Sequence, residues 1–268
     1  MAALPSLKDA ALTLDGRVAV LTFKRDDVRN ALTGTELTSD LVATLAWANM
    51  SPDVSVLIVT GEGSAFSTGG NIKTMGERAK ASPHVLQQNY KHGIQRIPLA
   101  LQETEISVIA AVNGPAIGAG FDLANMCDIR IGSTNAQFGE TFVNLGIIAG
   151  DGGAWFLQRL VGYQRAAELT FTGRIVKAEE AKQLGLLLEV TEPDALLPRA
   201  RELAQKIAAK PPLAVRYAKR LLKFAQQQPL SEHLEVCSSY QALCHKTEDH
   251  AEALAAFFEK RPGNFKGR

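Results

Sequence analysis

The stretch Ile106-Ser-Val-Ile-Ala-Ala-Val-Asn-Gly-Pro-Ala-Ile-Gly-Ala-Gly-Phe-Asp-Leu-Ala-Asn-Met-Cys127 joins two apolar segments through a turn that contains three glycines. Residues 106–112 are apolar except for Ser107 and are rich in β-branched side chains, which predicts a buried strand. The glycines Gly114, Gly118 and Gly120 end that strand, and residues 121–127 predict the beginning of a helix. The stretch therefore predicts a strand–glycine–helix junction of an α/β fold.

A second junction of the same kind lies upstream. Residues 54–60 (VSVLIVT) predict another buried strand, and the glycine turn Phe66-Ser-Thr-Gly-Gly-Asn-Ile72 follows it. Backbone N–H groups at a turn before a helix stabilise negative charge. Either turn alone is typical of a plain strand-to-helix connection. Two such turns that face one point would form an oxyanion hole.

The flanking sequence continues the alternation of strands and helices. The pair Asp15-Gly16 between two aliphatic runs predicts a β-hairpin. Thr33 and Glu36 have the spacing of a capping box before leucines at 37, 41 and 45, which predicts a helix. Beyond about residue 195 only helices are predicted, over 195–209, 213–227, 231–245 and 247–260. The sequence thus predicts an α/β core over residues 1–197 and a helical region over residues 198–268.

The composition and the motifs that the sequence lacks argue against several classes of function. The 268 residues carry 29 basic and 28 acidic side chains, and a net charge of +1 does not favour nucleic acid or an anionic membrane. No apolar run reaches the ~18 residues of a membrane span, and the N-terminus lacks the pattern of a secretory signal. The sequence has no phosphate loop, nucleophile elbow, metal-binding helix or dinucleotide fingerprint, so neither a metal nor a separate cofactor is expected. Three cysteines without paired spacing predict structural thiols in a reducing compartment, and hence a cytoplasmic protein.

The two junctions, in this order and at this spacing, resemble those of the enoyl-CoA hydratase/isomerase (crotonase) superfamily. Residues 61–75 (GEGSAFSTGGNIKTM) are similar to its first signature, and residues 109–120 (IAAVNGPAIGAG) to its second. Further similar segments are Asp128 within Met-Cys-Asp-Ile-Arg, Phe138-Gly139, Leu145-Gly146-Ile147, Thr172-Gly173, Gly185-Leu186 and residues 258–265 (FEKRPGNF). The similarity covers about residues 12 to 266.

The resemblance implies a spiral of ββα repeats, a C-terminal helical region that assembles a homotrimer or homohexamer, and an acyl-CoA thioester as substrate. Coenzyme A is then part of the substrate. The family pattern falls on the backbone N–H groups of Gly70 and Ala119 as oxyanion donors, which would hold the thioester oxygen as it gains enolate charge. Implied substrate contacts are Ala65, Phe66, Ser67, Gly69, Ile72 and Phe142. Lys24 or Arg25, and Lys260, are candidates for phosphate contacts, although a surface lysine is more often only solvated.

The acid–base residues depart from the hydratase pattern of two glutamates. The first position falls on Asp122, a shorter carboxylate that dienoyl-CoA isomerases of the family also use. The second falls on Phe142, which cannot transfer a proton. Two carboxylates flank this gap: Glu140, which could instead be solvated or structural, and Asp151, which could instead cap a helix. Asp122 also has an alternative role, because an acid in the first turn of a helix is stabilised by the helix dipole.

Three hypotheses about function follow. The first is an enoyl-CoA hydratase-like enzyme that acts on an α,β-unsaturated acyl-CoA. The second is an enoyl-CoA or dienoyl-CoA isomerase, or a hydrolase, that uses the same oxyanion hole with Asp122 and Asp151. The third is a protein that binds acyl-CoA without chemistry, which Phe142 suggests and the retained glycine junctions oppose.

Overall fold

Strands and helices alternate along the first two thirds of the chain in the computed structural model, which describes residues 3–78 and 80–268. The strands are β1 (Ala10–Asp15), β2 (Val18–Phe23), β3 (Val56–Gly61), β4 (Ser107–Val112), β5 (Pro115–Ile117), β6 (Ile129–Ser133), β7 (Gln137–Gly139), β8 (Val176–Lys177) and β9 (Glu189–Thr191). The first eight helices are α1 (Leu37–Met50), α2 (Ile72–Arg78), α3 (Pro83–His92), α4 (Arg96–Glu103), α5 (Ala119–Met126), α6 (Gly153–Val161), α7 (Tyr163–Thr172) and α8 (Ala178–Gln183). The C-terminal helices are α9 (Pro193–Ala208), α10 (Pro212–Phe224), α11 (Leu230–His245) and α12 (Glu248–Glu259).

The strands form two sheets. The larger sheet has the order β1-β2-β3-β4-β6-β9, with the predicted β1–β2 hairpin antiparallel and the other neighbours parallel. The smaller sheet has the order β5-β7-β8. Because β4 and β6 belong to the larger sheet and β5 and β7 to the smaller one, the chain crosses repeatedly between them. The predicted α/β class is confirmed.

Both faces of the larger sheet are covered. On one face, α1 buries Leu37, Leu41 and Leu45, as their spacing predicts. On the other face, α9 buries Leu196 and two alanines against β2, β3, β4 and β6. This double cover explains why the predicted strands at 54–60 and 106–112 are continuous apolar runs.

The predicted capping box of α1 is wrong. The helix begins at Leu37, and Glu36 occupies its N-cap position without a side-chain hydrogen bond. The Thr33 hydroxyl instead accepts a hydrogen bond from the Asn71 backbone N–H at 3.1 Å. Thr33 thus bonds to a residue distant in the sequence instead of capping α1. This hydrogen bond connects the loop before α1 to the first glycine junction.

The four C-terminal helices lie within a few residues of the predicted ranges. The predicted boundary between residues 197 and 198 falls inside α9, which packs on the sheet; the division into two regions stays a prediction. Cys127, Cys237 and Cys244 are free thiols, as expected. In the described ranges, no helix combines the length and apolar character needed to cross a membrane.

Candidate active site

The two glycine junctions lie side by side. Ser67 belongs to the first junction, which follows β3, and it pairs with Ala116 of β5 in a parallel bridge. The Ser67 carbonyl accepts a hydrogen bond from the Ile117 N–H at 3.0 Å, and the Ser67 N–H donates to the Pro115 carbonyl at 3.2 Å. These backbone bonds fix the first junction against the second, as the sequence-based hypothesis of a shared site requires.

Gly69 makes the closest approach between the junctions. Its φ is +70°, and a Cβ on Gly69 would lie only 2.6 Å from the backbone nitrogen of Ala119. A side chain is therefore excluded both by conformation and by space. The backbone N–H groups of Gly70 and Ala119 find no acceptor among the described residues. The Met75 side chain from α2 lies over Gly70, with its methyl carbon 2.7 Å from the position of a Cβ there.

The Phe142 ring lies next to the N-terminus of α5. Gly118, the residue before this helix, has φ +55° and donates a hydrogen bond to the Gly139 carbonyl at 2.8 Å. A Cβ on Gly118 would lie 3.5 Å from the Phe142 ring, which also packs against the core. The side chain at the position predicted for the second family glutamate is thus an apolar wall next to the N-terminus of α5.

Three carboxyl groups lie close together near the N-terminus of α5. Asp122, in the first turn of α5, is fully buried, and Glu140 and Asp151 are 1% and 3% exposed. Oxygens Oδ1 and Oδ2 of Asp122, Oε1 and Oε2 of Glu140 and Oδ1 of Asp151 have no hydrogen-bond donor among the described residues. These oxygens therefore lie together without a basic partner among the described residues, and protons shared between the carboxyl groups reduce their repulsion.

Burial and mutual repulsion shift the titration of all three groups. The pKa of Asp122 is raised well above its usual range, first by burial and then by the charges of Asp151 and Glu140. Burial raises the pKa of Glu140 to about 7 and also raises the pKa of Asp151, while the hydrogen bond with Asp122 opposes both shifts. Hydrogen bonds to Asp151 and Glu140 also favour the protonated form of Asp122 and so raise its pKa. Carboxyl groups that are buried together and hydrogen-bonded to one another are an arrangement suited to general acid–base catalysis.

Two alternative readings of these acids are wrong. Asp151 does not cap α6, because Gly152 occupies the N-cap position and no side chain caps the helix. Glu140 is not solvated, since the fold buries it, and its structural alternative stays open. Asp122 does lie in the first turn of its helix, so its position is compatible with both a dipole effect and proton transfer.

Gly153 is a site residue that the sequence analysis missed. A Cβ there would overlap Oδ1 of Asp122 and lie 2.5 Å from Oε1 of Glu140. The signal was present in the glycine pair 152–153 directly after Asp151. That pair is also compatible with a plain turn, so the sequence alone does not assign it.

The predicted substrate contacts divide into two groups. Ala65, Phe66 and Ser67 are buried, and the Ser67 hydroxyl donates to the Asn30 carbonyl at 2.7 Å, so only their backbone can face a ligand. Ile72 is exposed at the start of α2. Their contact with substrate stays a prediction.

The three basic candidates lie on the surface. Lys24 forms an ion pair with Glu62, and Arg25 forms ion pairs with Asp9 and Asp27. Lys260 follows α12 in a left-handed conformation. Their role in phosphate binding stays a prediction.

Comparison with known proteins identifies the relatives of this chain. The family model described as enoyl-CoA hydratase/isomerase matches residues 13–268. A short-chain-enoyl-CoA hydratase of Clostridium acetobutylicum is 37% identical over 258 residues, which are 95% of this chain and 96% of the relative. A crotonyl-CoA hydratase of Syntrophomonas wolfei is 36% identical, with 95% and 96% covered. Among solved structures, an enoyl-CoA hydratase subunit of Geobacillus kaustophilus superposes with a TM-score of 0.89 at 36% identity, with 97% of this chain and 99% of that chain covered.

Proposed function

Because this chain belongs to the enoyl-CoA hydratase/isomerase family, we propose that it is an enoyl-CoA hydratase, a hydro-lyase that adds water to an α,β-unsaturated acyl-CoA. The observation that carries the proposal is the buried carboxyl cluster, in which Asp122, one helical turn after Ala119, is fully buried together with Glu140 and Asp151. Such a group supplies both an acid and a base within one site.

In the proposed mechanism the N–H groups of Gly70 and Ala119 hold the thioester oxygen. Negative charge develops on this oxygen when water attacks the β-carbon, and fixed donors in a site without bulk water stabilise it. The ionised member of the carboxyl cluster removes one proton from the attacking water, and Asp122 gives one proton to the α-carbon. The proton taken from water then returns to Asp122 through the hydrogen bonds of the cluster, so the site regains its starting state.

Isomerisation is the second candidate, and Phe142 is the observation that favours it. The phenyl ring lies at the N-terminus of α5, where a hydratase of the family would have its second glutamate, and it makes the surroundings of the acyl chain more apolar. An isomerase needs one carboxyl group that removes a proton at one carbon and returns it at another. A hydrolase would use the same donors, and a protein that only binds acyl-CoA would leave every thioester unchanged.

The deciding experiment is incubation with crotonyl-CoA and with a 3-enoyl-CoA in heavy-oxygen water, followed by mass spectrometry of the thioesters. The proposal expects crotonyl-CoA to gain one water that carries the label. A shifted double bond without added oxygen would replace hydration by isomerisation. Loss of the acyl group to labelled acid would indicate hydrolysis, and unchanged thioesters would leave a binding function.

We further infer that the chain folds as a spiral and assembles through its C-terminal helices into a homotrimer or homohexamer. Alternation of the strands between two sheets supports the spiral. Large apolar side chains exposed on α10, α11 and α12 support the assembly: Leu222, Leu230, Leu234, Leu243, Leu254, Phe257 and Phe258. Exposed apolar surface of this extent is typical of protein interfaces. Sedimentation that gives only a 28.8 kDa species would contradict the assembly.

A further inference from the structure

A cavity of about 330 Å³ lies between α4 and α6, on the outer side of the carboxyl cluster. Its apolar walls are formed by Pro98 and Leu99 of α4 and by Trp155 and Phe156 of α6. Asp151 also lines it, and this carboxyl group is 3% exposed with Oδ1 unpartnered among the described residues. The cavity is thus joined to Asp122 through a single buried side chain.

The two aromatic rings that line the cavity are held in fixed orientations. The Arg159 guanidinium stacks on the Trp155 ring at 3.7 Å, and its Nη1 donates to the Trp155 carbonyl at 2.8 Å. The Phe156 ring meets the Trp155 ring edge to face, with centroids 4.7 Å apart. Rings that are already oriented lose little conformational entropy when a ligand packs on them. Across the cavity Leu99 is 63% exposed, so an occupant would cover apolar surface that now faces water.

The volume of the cavity and the charges of its lining side chains limit the kinds of ligand that it can bind. A cavity of about 150 Å³ with apolar walls holds benzene, so about 330 Å³ accommodates a six-membered ring together with a short linker. Of the side chains that line it, only that of Asp151 is ionisable, and none is basic. An acyl group with a distal carboxylate would therefore lose hydration there without gaining a basic partner, whereas a neutral ring would not.

We infer that this cavity binds the distal part of the acyl group, and that the preferred acyl group carries a neutral aromatic ring. The inference rests on the proposed function, because it takes the thioester to be held at the glycine junctions. It assigns Trp155, Phe156 and Leu99 as residues that determine specificity.

Binding of saturated thioesters tests the inference without chemistry. The probes are 3-phenylpropanoyl-CoA, nonanoyl-CoA, which has the same number of acyl carbons without a ring, and butanoyl-CoA, which is too short to fill the cavity. We expect 3-phenylpropanoyl-CoA to bind at least about tenfold more tightly than butanoyl-CoA and at least about threefold more tightly than nonanoyl-CoA, by calorimetry.

Trp155→Ala should reduce the advantage of 3-phenylpropanoyl-CoA over butanoyl-CoA to less than about threefold, while the Kd of butanoyl-CoA changes less than about twofold. The matched control is Trp47→Ala, which removes a half-buried tryptophan of α1 and should leave the ratio unchanged. Leu99→Ser, at an exposed position, is the second variant should Trp155→Ala fail to fold, and it should weaken 3-phenylpropanoyl-CoA alone by about threefold.

The outcomes separate the two proposals. Equal or tighter binding of nonanoyl-CoA, or a Trp155→Ala protein that keeps the full advantage of the ring, would overturn the aromatic specificity while the proposed hydratase function stands. Binding of butanoyl-CoA without any preference would do the same. Failure of all three thioesters to bind would overturn both proposals.

Discussion

Asp122 and Glu140 approach each other across a position that has no side chain. A Cβ on Gly153 would overlap Oδ1 of Asp122 and lie 2.5 Å from Oε1 of Glu140. The absence of a single methyl group therefore creates the space in which the two acids share a proton. Within the described part of the chain no basic side chain pairs with the three buried carboxyl groups, and shared protons reduce their mutual repulsion.

Gly153→Ala should disrupt this contact. The added methyl group forces the carboxyl groups apart, and overpacking of this kind costs about 1 to 3 kcal/mol of stability. We expect turnover of crotonyl-CoA to fall at least about tenfold, measured together with the free energy of unfolding in urea. Gly76→Ala is the control, because a Cβ on Gly76 meets nothing within 4 Å. Unchanged turnover in Gly153→Ala would show that the contact is not needed for catalysis.

Asp122→Asn should remove proton transfer while it preserves the shape of the side chain. Turnover of crotonyl-CoA should fall by about 10²-fold or more, which is the usual contribution of a positioned acid or base. The Kd of butanoyl-CoA, from calorimetry, should stay within about threefold because nothing in the binding surface changes. Asp194→Asn, at an exposed position in α9, provides the control. A variant that keeps full turnover would remove Asp122 from the mechanism.

Lys219→Met should weaken the attachment of α10 to the sheet. Lys219 is buried, and its Nζ donates to Asp128 Oδ2 at 2.7 Å and to the Ile106 carbonyl at 2.6 Å. Loss of one partner of a buried ion pair is costly, but Asp128 is partly exposed, so we expect a loss of about 2 kcal/mol in urea unfolding. Lys206→Met breaks an exposed ion pair and should cost less than about 0.5 kcal/mol. Equal losses in the two variants would contradict the role of the Lys219 contact.

The sequence predicted the backbone of the site better than its side chains. The strands before both junctions were predictable from apolar runs, because residues buried on two faces leave no polar alternation. The positive φ angles of Gly69 and Gly118 could also be expected from the sequence, since glycine readily adopts a positive φ and lets other backbone atoms approach closely. Local sequence does not show which distant residue a side chain will contact. Thr33 was predicted to cap a helix, but its hydroxyl accepts a hydrogen bond from the Asn71 N–H instead.

The carboxyl cluster illustrates the same limit. Asp122, Glu140 and Asp151 were each identified as candidates, but their meeting depends on how α5, β7 and α6 pack, and no spacing encodes that. Asp151 looked like a helix cap because aspartate before a helix usually is one. In the fold, the helix begins two residues later and the carboxyl group turns inward. Gly153 was overlooked for the same reason, since its neighbours come from distant segments.

The cluster should also make the stability of the protein depend on pH in a direction opposite to that of paired carboxylates. Burial raises the pKa of Glu140 from 4.5 to about 7, so between these values the folded protein holds a proton that the unfolded chain releases. The resulting stability is present below pH 4.5 and is lost as the pH rises through 7.

Glu140→Gln, which cannot ionise, should therefore gain stability relative to the wild type as the pH rises. The gain between pH 5 and pH 8 should be on the order of 2 kcal/mol, measured by urea unfolding at one protein concentration. Glu179→Gln, at an exposed position of α8, should keep a constant difference from the wild type over the same interval. If the stability curves of Glu140→Gln and the wild type run parallel, Glu140 is ionised in the folded protein at both pH values, and Asp122 and Asp151 alone share the proton.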